Sequence, residues 1–124
     1  MLNTAKVVAM VGTARPEAAK DFYQGVLGLD FVSEDQFALV FAGKNAHVRV
    51  SRVPAVAPAP YAVVAFVVED IAAAVDAITV KGATMARFPV FQQDARGIWT
   101  APDGTKVAWM HDPDLNLLSM VQYA

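Results

Sequence analysis

The sequence predicts an α+β protein in which one β-α-β-β-β unit is written twice. Three observations carry this reading. Short runs of β-branched and apolar residues alternate with turn clusters, as strands require. Two apolar helical stripes each run from a starter residue to a glycine stop. Finally, the markers of the first stripe, Pro16 and Gly28, return as Asp70 and Gly82, each 54 positions further on.

The elements follow in order. Lys6 to Gly12 is an apolar run suited to a strand buried on both faces. Pro16 fits the first turn of a helix, where its missing N–H costs nothing, and Glu17 complements the helix dipole there. Ala19, Phe22, Tyr23, Val26 and Leu27 then form one stripe, and Gly28 supplies the left-handed stop. Leu29 to Glu34, Phe37 to Ala42 and Ala46 to Val53 read as three further strands. Pro54 to Pro60 holds three prolines and cannot continue a ladder, so it is expected to be a semi-extended linker. After it, Tyr61 to Val68 reads as a strand and Glu69-Asp70 as an N-cap. Ile71, Ala74, Val75 and Ile78 form the second helical stripe. Strands are expected near Thr84 to Arg87, Gly97 to Ala101, Lys106 to His111 and Leu115 to Gln122. The expected organisation is one domain over 1–124: module one at about 1–53, a linker at 54–60, and module two at about 61–124.

A unit of this size covers one sheet face with its helix and leaves the other bare. Two such units are expected to curve a mixed sheet around a common cleft, with the helices outside. Alternation assigns the faces. On the strand before the linker, Val48 and Val50 pack toward the helix, while His47, Arg49 and Ser51 face the cleft. On the last strand, Ser119 stands opposite Leu118 and Met120.

Composition removes several classes of function. Ten basic residues against twelve acidic give a net charge of −2, so no long-range field draws in nucleic acid. The absence of cysteine removes disulfides, thiolate metal sites and cysteine nucleophiles together. No stretch reaches the roughly 18 apolar residues of a membrane span. The Met1 to Lys6 segment lacks the pattern of a signal peptide, and the expectation is a cytoplasmic protein. No Ser-His-Asp arrangement, glycine-rich phosphate loop or HExxH pattern is present.

Phe22-Tyr23 followed by Val26-Leu27-Gly28-Leu29, Ala65-Phe66-Val67-Val68-Glu69-Asp70 before the second helix, and Asp112-Pro113-Asp114-Leu115-Asn116-Leu117-Leu118 together give a resemblance. The chain resembles the vicinal oxygen chelate superfamily, which includes glyoxalase I, extradiol dioxygenases, fosfomycin-resistance enzymes and bleomycin-resistance proteins. One departure is Leu115, where the family usually has glycine. The resemblance implies a glyoxalase-like fold and a divalent metal held by His and Glu on the inner strand faces, acting as a Lewis acid on adjacent substrate oxygens.

Carried over one at a time, those ligand positions fall on Val8, on Arg49 (or Val48 if the register slips by one), on Val63 and on Ser119. Valine cannot ligate, arginine repels a cation, and one serine hydroxyl does not hold a catalytic metal. No metal and no cofactor is therefore expected. Other candidates remain. His47 would be a proton donor or acceptor in the cleft, or else a solvated strand-end residue. Arg49 would offer a bidentate fork to a carboxylate or phosphate, or form a salt bridge at the rim. Trp99 and Trp109 would stack on a flat ligand, or pack against the second helix. Phe31, Phe37, Phe41, Phe88, Phe91 and Tyr61 read as core or dimer contacts, and Gln92, Gln93, Asp94 and Arg96 as a solvated loop. His111 reads as a turn residue.

Three functions stay open. The first is a homodimeric small-molecule binding protein that sequesters an organic ligand on Arg49, Trp99, Trp109, Ser119, Val8 and Val63, without nucleic acid or membrane. The second is a metal-independent lyase or isomerase using His47 as base and Arg49 to stabilise an enolate-like oxygen. The third is a module that uses the fold only as an interaction surface.

Overall fold

The computed structural model describes residues 1–124, which form two compact units, Met1–Ala57 and Pro58–Ala124. In the first, β1 (Val8–Thr13) is followed by α1 (Pro16–Lys20), β2 (Asp30–Glu34), β3 (Ala38–Ala42) and β4 (His47–Arg52). The sheet order is β1-β4-β3-β2, with β1 parallel to β4 and the other pairs antiparallel.

The first helix differs from the regular α-helix expected over its apolar stripe. Past Lys20 it continues as a π-helical stretch, Asp21–Val26, and the Leu27 N–H donates back to Phe22 O at 2.9 Å. A bond reaching five residues back puts more residues in each turn, so consecutive side chains rotate less around the axis. Adjacent Phe22 and Tyr23 can then both be buried, and they are. Tyr23 stacks on Phe41 at 5.7 Å and meets Phe22 edge-on at 5.2 Å. With Val11, Leu39, Val48 and Val50 they make the core of this unit. Gly28 stops the helix at a φ of 74°, as its position in the sequence predicts.

The second unit repeats the plan. β5 (Val64–Val67) leads to α2 (Ile71–Val80), then β6 (Trp99–Thr100), β7 (Lys106–His111) and β8 (Leu117–Gln122), in sheet order β5-β8-β7-β6. Asp70 caps α2, its carboxylate accepting from the Ala73 N–H at 3.1 Å. Ile71, Val75 and Ile78 from α2 are buried, as are Val64, Ala108, Met110, Leu118 and Met120 from the sheet.

Several strands are shorter than expected. Tyr61 to Val63 precede β5 rather than belong to it. The two runs expected as strands at 84–87 and 97–101 share one edge of β7: Met85 bridges Met110, and Trp99 pairs with Val107. Between them only Gln93 pairs, in an isolated bridge with Trp99, and the Gln93 and Asp94 side chains take backbone groups that a longer ladder would use. Gln93 Nε2 donates to Ala86 O (3.0 Å) and Gly97 O (2.8 Å), and the Asp94 carboxylate accepts from the Ile98 N–H (2.9 Å). The last strand starts at Leu117, since Leu115 sits in the left-handed region at φ 68°. That is the position where the resembling family usually has glycine.

Candidate functional site

In each unit one sheet face is covered by its helix and the other is open. In the first unit the pairing fixes which residues share the open face. Val8 lies beside His47, Met10 beside Arg49, and Arg49 beside Val40. The buried alternates Val48 and Val50 pair with Phe41 and Leu39, and Phe41 carries the contact to Tyr23, so that side is the helix side. His47, Arg49 and Ser51 are half-buried on the opposite side, as alternation predicts.

Arg49 is central on this face and makes no ion pair; the salt bridges of the unit are Lys20–Glu34 and Arg52–Glu34, both at 3.0 Å. Its charge is felt at Asp35. That carboxyl is held below its ordinary value chiefly by the Phe37 and Ala38 N–H groups, with smaller contributions from Arg49 and Arg52. His47 has a defined partner: Lys6 Nζ lies 3.4 Å from its Nδ1. An ammonium can only donate, so Nδ1 is the accepting atom of this contact. The neighbours Val8 and Met10 are exposed apolar side chains.

In the second unit, Trp109 pairs with Ser119 and Trp99 with Val107, on the face away from α2. The helix side of β7 is taken by the buried Ala108 and Met110. Packing of the indoles against the second helix, one of the two sequence readings, does not occur. The tryptophans meet Phe88 and Phe91 instead. Phe91 stacks on Trp109 at 5.1 Å with only 10° between the planes and lies 4.7 Å from Trp99, while Phe88 meets Trp109 edge-on at 5.3 Å. The two indole centroids are 6.4 Å apart. Ser119 is buried and its hydroxyl donates to Val64 O at 3.3 Å. Val63 is on the same open side, its N–H donating to Leu117 O.

Phe88 and Phe91 were not legible as site residues. The available signal is Phe88-Pro89-Val90-Phe91, an aromatic pair closed by a proline turn, in which the Phe91 N–H donates to Phe88 O at 3.1 Å. Gln93, expected in a solvated loop, is half-buried and is the pin of that loop. His111 is the last residue of β7 rather than a turn residue.

The four positions that the resemblance assigns to metal ligands do not suit a divalent ion. Val8 and Val63 offer no side-chain donor atom, Arg49 carries a permanent positive charge, and Ser119 adds one neutral hydroxyl, which donates to Val64 O. No group of three or more His, Asp or Glu side chains converges elsewhere in the molecule. What the two faces can do is grip a carboxylate or phosphate with a guanidinium fork, and stack a ring. No helix is long and apolar enough to cross a membrane.

Two four-stranded mixed sheets, each with a parallel outer pair and one covering helix, define a glyoxalase-like α+β fold. The chain belongs to the Glyoxalase/Bleomycin resistance protein/Dioxygenase superfamily, whose family model matches residues 7–118. Solved structures with this fold include a superfamily member from Sphaerobacter thermophilus DSM 20745, at 22% identity and a TM-score of 0.71, covering 94% of this chain and 96% of that one. TnmS3, an antibiotic binding protein from Streptomyces sp. CB03234, is 19% identical with a TM-score of 0.72, covering 98% of each chain. The oxidase ChaP-H2 is 20% identical with a TM-score of 0.73, covering 98% of this chain and 95% of that one. Comparison with curated protein sequences gives no match.

Proposed function

We propose that this protein binds a small organic anion without a metal ion, as a cytoplasmic homodimer, and that Arg49 is its charged anchor. The observation that carries this reading is the uncommitted Arg49 guanidinium, set among exposed apolar side chains at a position where relatives would hold a cation. A half-buried arginine that makes no salt bridge, and acts on Asp35 only through the weaker long-range part of its charge, keeps its fork open to a carboxylate or phosphate, and Val8 and Met10 suit the organic part of the ligand. On the second unit's open face, Trp99, Trp109, Ser119 and Val63 would offer a ligand a stacking surface. Each sheet ends in two edge strands, which gives a physical motive for dimerisation. The fold itself does not choose between functions, since TnmS3 is an antibiotic binding protein and ChaP-H2 an oxidase. The side chains choose.

Thermal unfolding with benzoate, phenyl phosphate and the neutral isostere benzamide tests the reading. The two anions are expected to raise the Tm by several degrees, benzamide to leave it unchanged, and Arg49→Met to abolish the anion effect. Equal shifts with benzamide, or an unchanged anion effect in Arg49→Met, would contradict it.

A second reading has its own observation. His47 and Arg49 share one face of β4, and Nδ1 of His47 is the accepting atom of the Lys6 contact. Such a pair supports a metal-independent lyase or isomerase, with His47 moving a proton and Arg49 stabilising an enolate-like oxygen. His47→Ala separates the two: it removes turnover under the enzyme reading, while under the binding reading anion affinity survives and no turnover exists to lose.

A further inference from the structure

The aromatic cluster of the second unit has a feature that its assignment as a ligand surface does not explain. Phe91 lies flat on Trp109, 5.1 Å between centroids and 10° between planes, the offset-stacked geometry a bound planar ring would adopt. The segment that carries it is held unevenly. Its base is pinned: Gln93 bonds Phe88 N, Ala86 O and Gly97 O, Arg87 donates to Ala95 O, and Arg96 makes a two-point ion pair with Asp76 of α2 at 2.8 and 3.0 Å. Gln93 also makes an antiparallel bridge to Trp99, whereas at the tip no hydrogen bond holds Pro89 or Val90, and Val90 is 84% exposed. Only the local turn bond from Phe91 N to Phe88 O and the ring contacts keep Phe91 in place. The cluster is also open at its polar edge. Neither indole N–H donates to a protein atom, and no polar side-chain atom is buried without a partner, so both N–H groups reach solvent.

We propose that Phe91 occupies the stacking position on Trp109 that a flat aromatic ligand takes, and that the 88–91 tip swings out to admit it. Phe91 then sets the affinity threshold of this face. Its displacement costs every ligand the same amount, so fused or extended rings that stack strongly are held where single small rings fall below the threshold. The pinned base limits the motion to the tip, so Trp99 and Trp109 stay in place while Phe91 leaves. This inference rests on the reading of the open faces as small-molecule surfaces, but it uses no charge, so an uncharged probe isolates it from Arg49.

The test titrates 2-naphthol and phenol calorimetrically into the wild-type protein, Phe91→Ala and Phe91→Leu, and records the tryptophan emission of each ligand-free protein. The chain has only two tryptophans, both in this cluster, so the whole signal reports it. Phe91→Ala is expected to bind 2-naphthol about tenfold tighter than wild type, the return for removing one competing stacked ring. Its free-state emission should shift to the red as the Trp109 face meets water. Phenol binding should tighten by the same factor in Phe91→Ala, because displacing Phe91 costs both ligands equally. Phe91→Leu keeps an apolar side chain at the tip and should give an intermediate affinity if Phe91→Ala fails to fold. Binding of 2-naphthol that weakens or stays constant in both variants overturns the proposal, because Phe91 would then be part of the platform rather than its occupant. That failure leaves the anion response of Arg49 intact. Loss of the anion response with a retained gain in Phe91→Ala would overturn the Arg49 reading alone.

Discussion

The two open faces stand on the same strand order and carry opposite chemistry. In the first unit the open side of β4 presents His47, Arg49 and Ser51, beside the aliphatic Val8, Met10 and Val40. In the second, the corresponding side of β7 and β8 presents Trp109 and Ser119, joined by Trp99, Phe88 and Phe91. One face offers a guanidinium and no aromatic stack; the other offers four rings and no uncommitted charge. A duplicated scaffold thus keeps its helix side under packing constraint while its open sides diverge. The buried sets show that constraint: Tyr23, Leu39, Phe41, Val48 and Val50 in one unit answer Ile71, Val75, Met110, Leu118 and Met120 in the other.

The largest expected effect contrasts helix side with open side. Phe41→Ala empties a fully buried site and should cost about 3–5 kcal/mol in denaturant unfolding. Trp109→Ala removes a larger but half-exposed ring and should cost about 1–2 kcal/mol. Equal costs would mean that the open face of the second unit is closed core, and the functional distinction between faces would fail.

A smaller effect tests a local departure. Leu115 sits at φ 68°, a conformation that costs a non-glycine residue roughly 1–2 kcal/mol, and its exposed side chain offsets little of it. Glycine there relieves that strain but loses more chain entropy on folding, about 0.5–1 kcal/mol. Leu115→Gly should therefore stabilise the protein by about 0.7 kcal/mol, the difference between the midpoints of those two ranges. Destabilisation would mean that Leu115 serves a contact beyond the turn.

The smallest effect is shared by both units. Glu34 is held below its ordinary value first by its hydrogen bond from Lys20, Asp35 by the Phe37 N–H, Asp76 by Arg96, and Asp103 by the Thr105 N–H. Depressed folded-state values make these carboxylates stabilising above the ordinary carboxylate range, and that contribution disappears as the pH falls through it. All four are exposed, so the loss is modest. The Tm should fall between about pH 5 and pH 3, and Asp76→Asn should flatten that fall. A Tm that rises on acidification would reverse the sign and contradict these assignments.

Much of the frame was legible because it rests on periodicity. Val48 and Val50 against His47, Arg49 and Ser51 is a two-residue alternation, and it assigns Arg49 to the face opposite the helix. The Asp70 cap and the Gly28 and Gly82 stops are local signals with local causes, and Gly82 does take a positive φ of 105°. What could not be read depends on long-range or side-chain-specific bonding. The π-helical Asp21–Val26 accompanies the burial of adjacent Phe22 and Tyr23, and Tyr23 stacks on Phe41, a partner 18 residues away in sequence. The edge at 84–101 breaks because the Gln93 amide replaces ladder bonds with its own, and no hydropathy pattern announces that. Phe88 and Phe91 join the tryptophans for the same reason.

The central claim is that Arg49 takes the role a metal ion has in relatives. Calorimetric titration of benzoate into protein dialysed against EDTA, repeated after addition of Zn²⁺, tests it most directly. The same affinity is expected in both, with loss of binding in Arg49→Met. Binding that appears only once the divalent ion is restored would contradict the account.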